Sequence, residues 1–448
     1  MAVADELLDL CLRAVAGAED GEAVEAYAEE SRRTQVRARG GEVESMSSAE
    51  TRGVGIRVIV EGRLGYGYAS DPSSQEVGRA LAKARANAGL ATPDEGNALP
   101  PAGSAPGLPG IFREGQLSVP TDRKVTLALE LERATVRFHP KVGKVEQAAY
   151  GDSVGRVAIA STTGRTGSYV RTDCWCASSA LAEDGGETQT GFGFRLGREL
   201  DDLEWLACAE EAALRSARLL GSRKPETARV PVVLDQGAAV SFLGVLSGAL
   251  SAESVQKGRS LFADLLGEEV GSDAVTLVDD GRLLDGPGAA PFDDEGVPTE
   301  RTPLIERGRL AAFMHNTYTA RRGNAVSTGN AGRGSYRTAP GVSPSNLYLA
   351  PGSDGPEALL RRAEGGVFIQ EVSGVHSGAN PISGEFSVGS TGLRITGGAL
   401  GEPLREMTIA STIPDMLRAV AAVGSDLRFF GAVGSPTVLL ADMTVAGL

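Results

Sequence analysis

The chain has 448 residues, a formal net charge of −14 and a sequence pI of about 4.9. This acidity argues against nucleic acid or an anionic membrane surface as a partner, because both repel a negatively charged protein. Hydrophobic residues make up 42% and charged residues 23%, which is typical of a globular protein. The length predicts two domains.

Cysteine usage and the N-terminus bear on location. The four cysteines are few for this length, and Cys174 and Cys176 lack the C-x-x-C spacing of a zinc ribbon. We therefore expect reduced thiols in a cytosolic protein. The first residues lack the basic segment and apolar run of a signal peptide, and no run of about 18 apolar residues occurs. The sequence predicts a soluble, cytoplasmic protein.

In the first half of the chain, helical and strand periodicities alternate. Helically spaced apolar residues after Asp5 predict an opening helix. Segments 53–60 and 63–70 predict a hairpin that turns at Glu61 and Gly62. Further strands are predicted at 23–31, 33–40, 144–150, 154–161, 168–180 and 187–196, and further helices around 77–84, from Asp122, and over 201–220. This order predicts helices packed on an antiparallel sheet, an α+β domain.

A charged, proline-containing segment, GSRKPETA (221–228), interrupts this pattern. We place the domain boundary there, with an N-terminal α+β domain over 1–222 and a C-terminal β-rich domain over 223–448. The second domain opens with a predicted strand and helix and then turns to short, Gly-punctuated strands. Its end is predicted as a helix at 414–423 and a strand at 437–446. The sequence therefore predicts a curved or barrel-like body.

The most distinctive loop is Gly374 to Gly392, GVHSGANPISGEFSVGSTG, which contains five Gly and four Ser. It lies between a predicted strand at 365–372 and a strand pair turned at Gly397 and Gly398. Glycine lets the backbone turn or approach a ligand closely. We expect the loop at a sheet rim and available for binding, with a simple connector as the alternative.

Other candidate motifs are weak. GDSVG (151–155) matches a nucleophile elbow, but the residues that follow predict a strand instead of a helix, so Ser153 is not assigned. His139, His315 and His376 are too far apart in sequence for a two-histidine zinc motif on one helix. The acidic run 293–295 lies in a loop containing Pro and Gly, where we expect it to be solvated. No phosphate-binding glycine motif is present.

Several ordered segments carry a resemblance to a known family. They are VQKGRSLFADLLGEEVGSD (255–273), NTYTARRGNAVSTGNAGR (316–333), SPSNLYLAPG (343–352), the loop 374–392, MTIASTIPDMLRAVAAVGSDL (407–427) and MTVAG (443–447). Together they resemble the TldD/PmbA family, and GVGIRV (53–58) and GRLGYGYAS (62–70) extend the similarity over nearly the whole chain. The resemblance implies two domains, the second barrel-like. It also implies a cytoplasmic metallopeptidase in which a zinc-bearing TldD subunit pairs with a PmbA (TldE) subunit.

The resemblance is to the PmbA/TldE subunit. TldD-type chains carry H-E-x-x-x-H on the helix before the K-G-[RT]-S segment, and a cysteine near the C-terminus. Counting back from Lys257, these positions are Leu243, Gly244 and Gly248, and the last eighty residues contain no cysteine. The resemblance therefore implies no catalytic residue, no metal ligand and no cofactor in this chain, with zinc on the partner.

Without a zinc site, the roles expected for this chain are to bind the substrate and to support the partner subunit. The loop could hold an extended peptide through its main chain, and an arginine fork could hold a carboxylate, although an ordinary salt-bridged helix end is an equal alternative for the second group. The expected substrate-binding residues are His376, Ser377, Gly378, Asn380, Ser383, Gly384, Tyr318, Arg321 and Arg322.

The expected partner is a homologous TldD-type subunit in a heterodimer, with a homodimer in its absence. We expect contact through the C-terminal domain, because strands at 367–372 and 437–446 would leave edges that must be covered. Two alternatives stay open. One is a hydrolase with a cryptic metal at His315 or His376, and the other is a stand-alone peptide-binding protein in a peptide-modification pathway.

Overall fold

The computed structural model describes residues 2–447, with side chains from Glu6 onward. No helix in this range is both long and apolar enough to cross a membrane. Within the described range, the first half contains five α-helices, six strands and a short 3-10 helix at Leu200–Asp202. The elements are α1 Ala2–Val15, β1 Ala23–Arg39, β2 Glu42–Val60, β3 Arg63–Ala69, α2 Ser74–Leu90, α3 Glu114–Leu117, α4 Thr121–Phe138, β4 Val142–Ser161, β5 Thr166–Asp184, β6 Glu187–Gly197 and α5 Trp205–Ala217.

The six strands form one antiparallel sheet in the order β3-β2-β1-β4-β5-β6. Side chains alternate between its two faces. Val24, Ala26 and Ala28 of β1 lie in the core under α1 and α2, and Val36 and Ala38 lie in the core under α4 and α5. The opposite, helix-free face carries Tyr27 and packs against the second half of the chain. The α+β class is therefore confirmed, with helices on one face of an antiparallel sheet.

The second half contains fourteen short or medium strands and six helices within the described residues. The elements are β7 Ala228–Leu234, α6 Gln236–Ala249, α7 Ala252–Gln256, β8 Leu277–Asp280, β9 Arg301–Glu306, β10 Arg309–Leu310, α8 Thr317–Arg322, β11 Ala331–Gly332, β12 Gly341–Val342, β13 Leu347–Leu349, α9 Pro356–Arg362, β14 Val367–Ser373, α10 Val375–Gly378, β15 Glu385–Thr396, β16 Ala399–Thr412, α11 Ile413–Ala419, β17 Val420–Val423, β18 Arg428–Phe430, β19 Val433–Ser435 and β20 Val438–Gly447.

Five of these strands close into a barrel. The order β16-β15-β14-β7-β20 is completed by pairing of β16 with β20, which confirms the barrel-like prediction. A second sheet has the order β10-β9-β8-β13-β19-β18. The largest apolar core lies under α6, whose Phe242, Leu243 and Leu246 are buried.

Barrel closure overturns one expectation. Strand β14 is paired with β7 and β15, and β20 is paired with β7, β16 and β17. The segments 367–372 and 437–446 therefore leave no edges for a partner, because barrel closure satisfies both sides of each strand. The stated reason for contact through the C-terminal domain was wrong.

Several boundaries also differ from the predictions. Segments 23–31 and 33–40 form one long strand, β1, and the segments predicted at 144–150 and 154–161 likewise form β4. Ser153 lies within β4, so the strand that disqualified it as an elbow nucleophile is confirmed. The predicted helix at 414–423 ends at Ala419, because Val420–Val423 pairs with β20.

Candidate binding site between the two halves of the chain

A cleft of about 600 Å³ lies between the helix-free face of the N-terminal sheet and the second half of the chain. We call it the interdomain cleft. Its sheet wall includes Glu29, Arg33, Ser153, Tyr169 and Arg171, and its other wall includes Phe292, Asp293, Asp294, Arg333 and Ser345. Carboxylates, guanidinium groups and hydroxyls thus share one cavity. Such a lining offers both donors and acceptors to a polar ligand.

A buried ion-pair network borders this cleft and joins the two halves. Arg57 of β2 donates to Glu25 of β1 at 2.7 Å and to Glu295 at 2.7 Å, and no side chain of these three is more than 4% exposed. Arg333 also pairs with Glu25 and lies 4.7 Å from the ring centre of Tyr27. Two arginines and two glutamates therefore neutralise one another where water is excluded.

The network controls the ionisation of its carboxylates. Burial acts to raise the pKa of Glu295, but the Arg57 charge and a hydrogen bond from Thr317 outweigh it, so this pKa lies below its usual value. The Thr317 amide donates to Glu295 at 2.8 Å. Glu295 is therefore charged and fixed between β2 and α8.

The acidic run 293–295 is not solvated, contrary to the sequence expectation. Asp293 and Glu295 are 7% and 1% exposed, and Asp293 accepts hydrogen bonds from the amides of Ala331 and Val297 at 2.9 Å each. Burial, followed by the neighbouring Glu295 charge, raises the pKa of Asp293 well above its ordinary value. The run is buried because its carboxylates find partners on the facing loop and sheet, which local sequence does not reveal.

Two of the predicted arginine-group residues lie together at a contact between the halves. The Tyr318 hydroxyl donates to Asp94 at 2.8 Å, and Arg322 donates to the Tyr318 hydroxyl at 2.9 Å. Arg321 is exposed and lies outside this contact. A small cavity of about 170 Å³ beside Tyr318 is also lined by Asn97 and the buried Arg57. Tyr318 and Arg322 thus take part in a salt-bridged helix end with Asp94, and carboxylate binding by this group remains a prediction.

Of the six predicted residues of the loop 374–392, four are exposed, Gly378 is half-buried and Gly384 is buried. Asn380 accepts from the amides of Ile382 and Ser383 through its side chain, and its carbonyl accepts from Gly384. His376, Ser377 and Ser383 are exposed. Within the described residues, no hydrogen bond or ion pair joins this loop to Tyr318, Arg321 or Arg322. The nine predicted residues therefore form two separate groups.

Two positions of the loop favour glycine, each for a different structural reason. Gly384 has φ +79°, a conformation that strains other residues. At Gly378 the constraint is space, because an added Cβ would lie 2.0 Å from the Ser387 carbonyl oxygen. The turn at Gly384 is confirmed, and the close approach at Gly378 is to Ser387 of this chain, whereas approach to a substrate and peptide binding by the loop remain predictions.

Helix α6 carries the positions that correspond to a zinc motif. Leu243 is 2% exposed and packs in the core, while Gly244 and Gly248 lie on the exposed face with open space around them. None has an atom that ligates zinc. Across residues 6–447, no group of three or more His, Cys, Asp or Glu is arranged to hold a metal ion. The donor set that zinc requires does not fit these residues.

Sequence reasoning missed the residues that border the interdomain cleft. Glu25 and Arg57 lie in strands whose neighbouring residues are buried, and each was treated as an ordinary strand position. A charge inside an apolar run such as GVGIRVIV is a usable signal, because a buried charge must be paired. The identity of the partner depends on the docking of two distant segments and could not be found in the same way.

Models of one protein family match most of the chain. They are described as PmbA/TldA metallopeptidase domain 1, central domain and C-terminal domain, and match residues 24–88, 114–220 and 227–447. The chain is 28% identical to the metalloprotease PmbA of Escherichia coli O157:H7, covering 99% of this chain and 96% of the relative. A metalloprotease of Methanocaldococcus jannaschii is also 28% identical, over 87% and 86% of the two chains.

Solved structures agree with this fold over the full length. A crystal structure from Thermotoga maritima, described as a candidate modulator of DNA gyrase, superposes with a TM-score of 0.89 at 28% identity and 99% coverage of both chains. TldE from Thermococcus kodakarensis has the same TM-score and coverage at 21% identity, a likeness of fold alone.

Proposed function

Because this chain belongs to the PmbA/TldD metallopeptidase family, we propose that it is the PmbA/TldE-type subunit of a heterodimeric zinc metallopeptidase that processes peptides. In this proposal a TldD-type subunit holds the zinc and performs the hydrolysis. The present chain supports its partner and helps to hold the peptide.

One observation carries the proposal. The helix positions that would supply the zinc ligands and the general base are an aliphatic residue in the core and two glycines on the surface. A leucine side chain and two glycines can neither bind a metal nor accept a proton from water. A chain with the whole family fold and without these groups needs another chain to complete a peptidase.

The interdomain cleft is the proposed place for peptide handling in this chain. Its volume of about 600 Å³ and its mixture of carboxylates, arginines and hydroxyls suit a short polar segment. The same cleft favours a second candidate function, a stand-alone peptide-binding protein. The two candidates differ in whether a TldD-type partner is required.

The test is co-expression with a TldD-type chain. We expect the isolated chain to contain far less than one zinc per molecule by elemental analysis and to cleave no peptide. The mixture should form a 1:1 complex by light scattering, with peptidase activity and one zinc per complex. The matched control is the TldD-type chain alone, which should be much less active.

Two outcomes would contradict the proposal. Stoichiometric zinc retained by the isolated chain after dialysis against a weak chelator would place a metal site here after all. Two chains that remain separate, with the TldD-type chain fully active by itself, would remove the partner role. In that case peptide binding by the isolated chain, measured calorimetrically, would favour the peptide-binding function.

A further inference from the structure

One strand of the N-terminal sheet has a long uncovered edge. Strand β2 extends over Glu42–Val60, but β3 pairs with it only from Val54 to Val60. Residues 42–53 pair with β1 on one side, and no described strand lies on their other side. Every side chain from Glu42 to Arg52 is exposed on both faces of the sheet. We call residues 42–53 the β2 edge.

The other outer strands of this sheet have one face covered by a helix. Strand β3 packs against α2, and β6 packs against α5, so that glycines such as Gly65 and Gly193 approach helix backbone closely. The β2 edge has no such cover, and its Val43 and Met46 are 40% and 45% exposed. A row of unpaired amides and carbonyls of this length readily pairs with another strand. The β2 edge is therefore a candidate interface.

The sequence of the β2 edge protects only part of it against pairing with another strand, and the rest of the edge has a regular register. The register between β1 and β2 shifts at Glu44, a bulge that disturbs regular pairing near the hairpin tip. From Ser45 to Gly53 the register is continuous, and this stretch contains no proline. Its central residues, Ser47, Ser48 and Ala49, are small and uncharged. An incoming strand meets no steric or charge barrier there.

We propose that the β2 edge is completed by the same edge of a second chain of this fold, related by a local two-fold axis. For the isolated protein that second chain is another copy of itself. Edge-to-edge pairing across a two-fold axis satisfies both edges at once, and a homologous subunit would present an equivalent strand. The inference rests on the proposed function in that it locates the subunit contact of the family heterodimer.

Charge selects one register for two copies of this chain. Antiparallel pairing centred on Ser47 would place Glu44 opposite Glu50 twice, and centring on Ala49 would bring the two copies of Glu50 diagonally together. Centring on Ser48 avoids these two contacts and places Glu44 of each copy directly opposite Arg52 of the other, at closer range than the diagonal contact between Glu44 and Glu50 that this register retains. Charges of opposite sign that face each other across two strands stabilise the pairing, and charges of the same sign destabilise it. The pairing is therefore centred on Ser48.

The first test is disulfide cross-linking. Ser48→Cys should give a covalent dimer under mild oxidation with diamide, because directly opposed residues in antiparallel strands have Cα separations compatible with a disulfide. Ser47→Cys is the matched control, since its own counterpart is not directly opposite in this register. The four natural cysteines are buried and unpaired, so they do not confuse the result.

The second test reverses one charge. Glu44→Arg should raise the dimer Kd at least about tenfold, measured by analytical ultracentrifugation, since two attractive contacts become repulsive. Adding Arg52→Glu to this variant should restore dimerisation. Glu42→Arg is the control, because residue 42 would face residue 54, whose outer side is already paired with β3.

Three results would overturn the proposal. They are a chain that stays monomeric at high micromolar concentration, a dimer that Ser48→Cys does not cross-link, and equal Kd values for Glu44→Arg and Glu42→Arg. Protection of the 42–53 amides by added peptide, in a monomeric chain, would assign the edge to a peptide strand instead. These readouts need neither zinc nor activity, so they can fail while co-expression with a TldD-type chain still yields an active peptidase.

Discussion

Replacing Arg57 with Met tests whether the buried ion-pair network holds the two halves together. Arg57 is 4% exposed and is shared by Glu25 and Glu295, whose side chains are 1% and 0% exposed. Its loss leaves Glu25 with Arg333 but removes the cation beside Glu295. Breaking a buried pair in this way costs about 3–5 kcal/mol, because an uncompensated charge remains. We expect a loss of that size in the free energy of unfolding.

Urea unfolding followed by circular dichroism and tryptophan fluorescence measures this loss. The matched control is Arg79→Met, whose pair with Glu76 is exposed on the surface of α2 and should contribute less than about 1 kcal/mol. Adding Glu295→Gln to Arg57→Met should recover part of the loss, since the stranded charge is then removed. The variant should also lose less at pH 5 than at pH 7. Without Arg57, burial raises the folded-state pKa of Glu295, and stability falls as the pH rises through that pKa.

An effect of Arg57→Met no larger than that of Arg79→Met would refute this reasoning. It would mean that water or a neighbouring cation reaches Glu295 when Arg57 is absent. A large loss that Glu295→Gln does not relieve would place the cost in packing of the arginine side chain instead of in charge.

Three further predictions concern other sites. Burial raises the pKa of Asp279 to about 6. The free energy of unfolding should therefore fall as the pH rises from about 4 through 6. Urea titrations of Asp279→Asn should lack this fall. Gly55→Ala should loosen the docking of the two halves, because its Cβ would lie 2.2 Å from the Tyr336 carbonyl oxygen. Faster limited proteolysis would reveal this. Gly143→Ala is the control and should behave as wild type, because there is open space around Gly143. Gly384→Val and Gly378→Val should weaken peptide binding measured by calorimetry while most of the fold persists, since both residues precede the barrel strand β15, which begins at Glu385. Unchanged binding in both would make the loop a connector.

The sequence predicts elements whose signal is local. The hairpin at Glu61 and Gly62 is confirmed because a turn between two alternating strands is encoded within about twenty residues. The sequence predicted a barrel-like body but did not predict which strands close the barrel. Closure depends on pairing of β16 with β20, strands joined through a helix and three small strands, and no periodicity reports such a pairing.

The candidate site was predictable only in part. Gly384 was singled out correctly, because a backbone position with positive φ favours glycine and is therefore visible in the sequence. The interdomain cleft was missed, since its walls come from strands near residues 29 and 171 and from loops near 293 and 333. Asp293 shows the difficulty most clearly. Its loop is rich in turn-forming residues, yet its carboxylate is buried and accepts a hydrogen bond from the amide of Ala331 on the distant strand β11.

The network around Arg57 also has a consequence for the newly made chain. Arg57 and its partner Glu295 are 238 residues apart. At 5–20 residues per second, a ribosome needs about 10–50 s to make that distance. During this time the N-terminal sheet exposes Tyr27, Val157 and Ile159, together with an arginine that lacks one of its two carboxylates. A nascent chain stalled before residue 295 should therefore be a good substrate for chaperones, and release from them should follow synthesis of the segment 295–336.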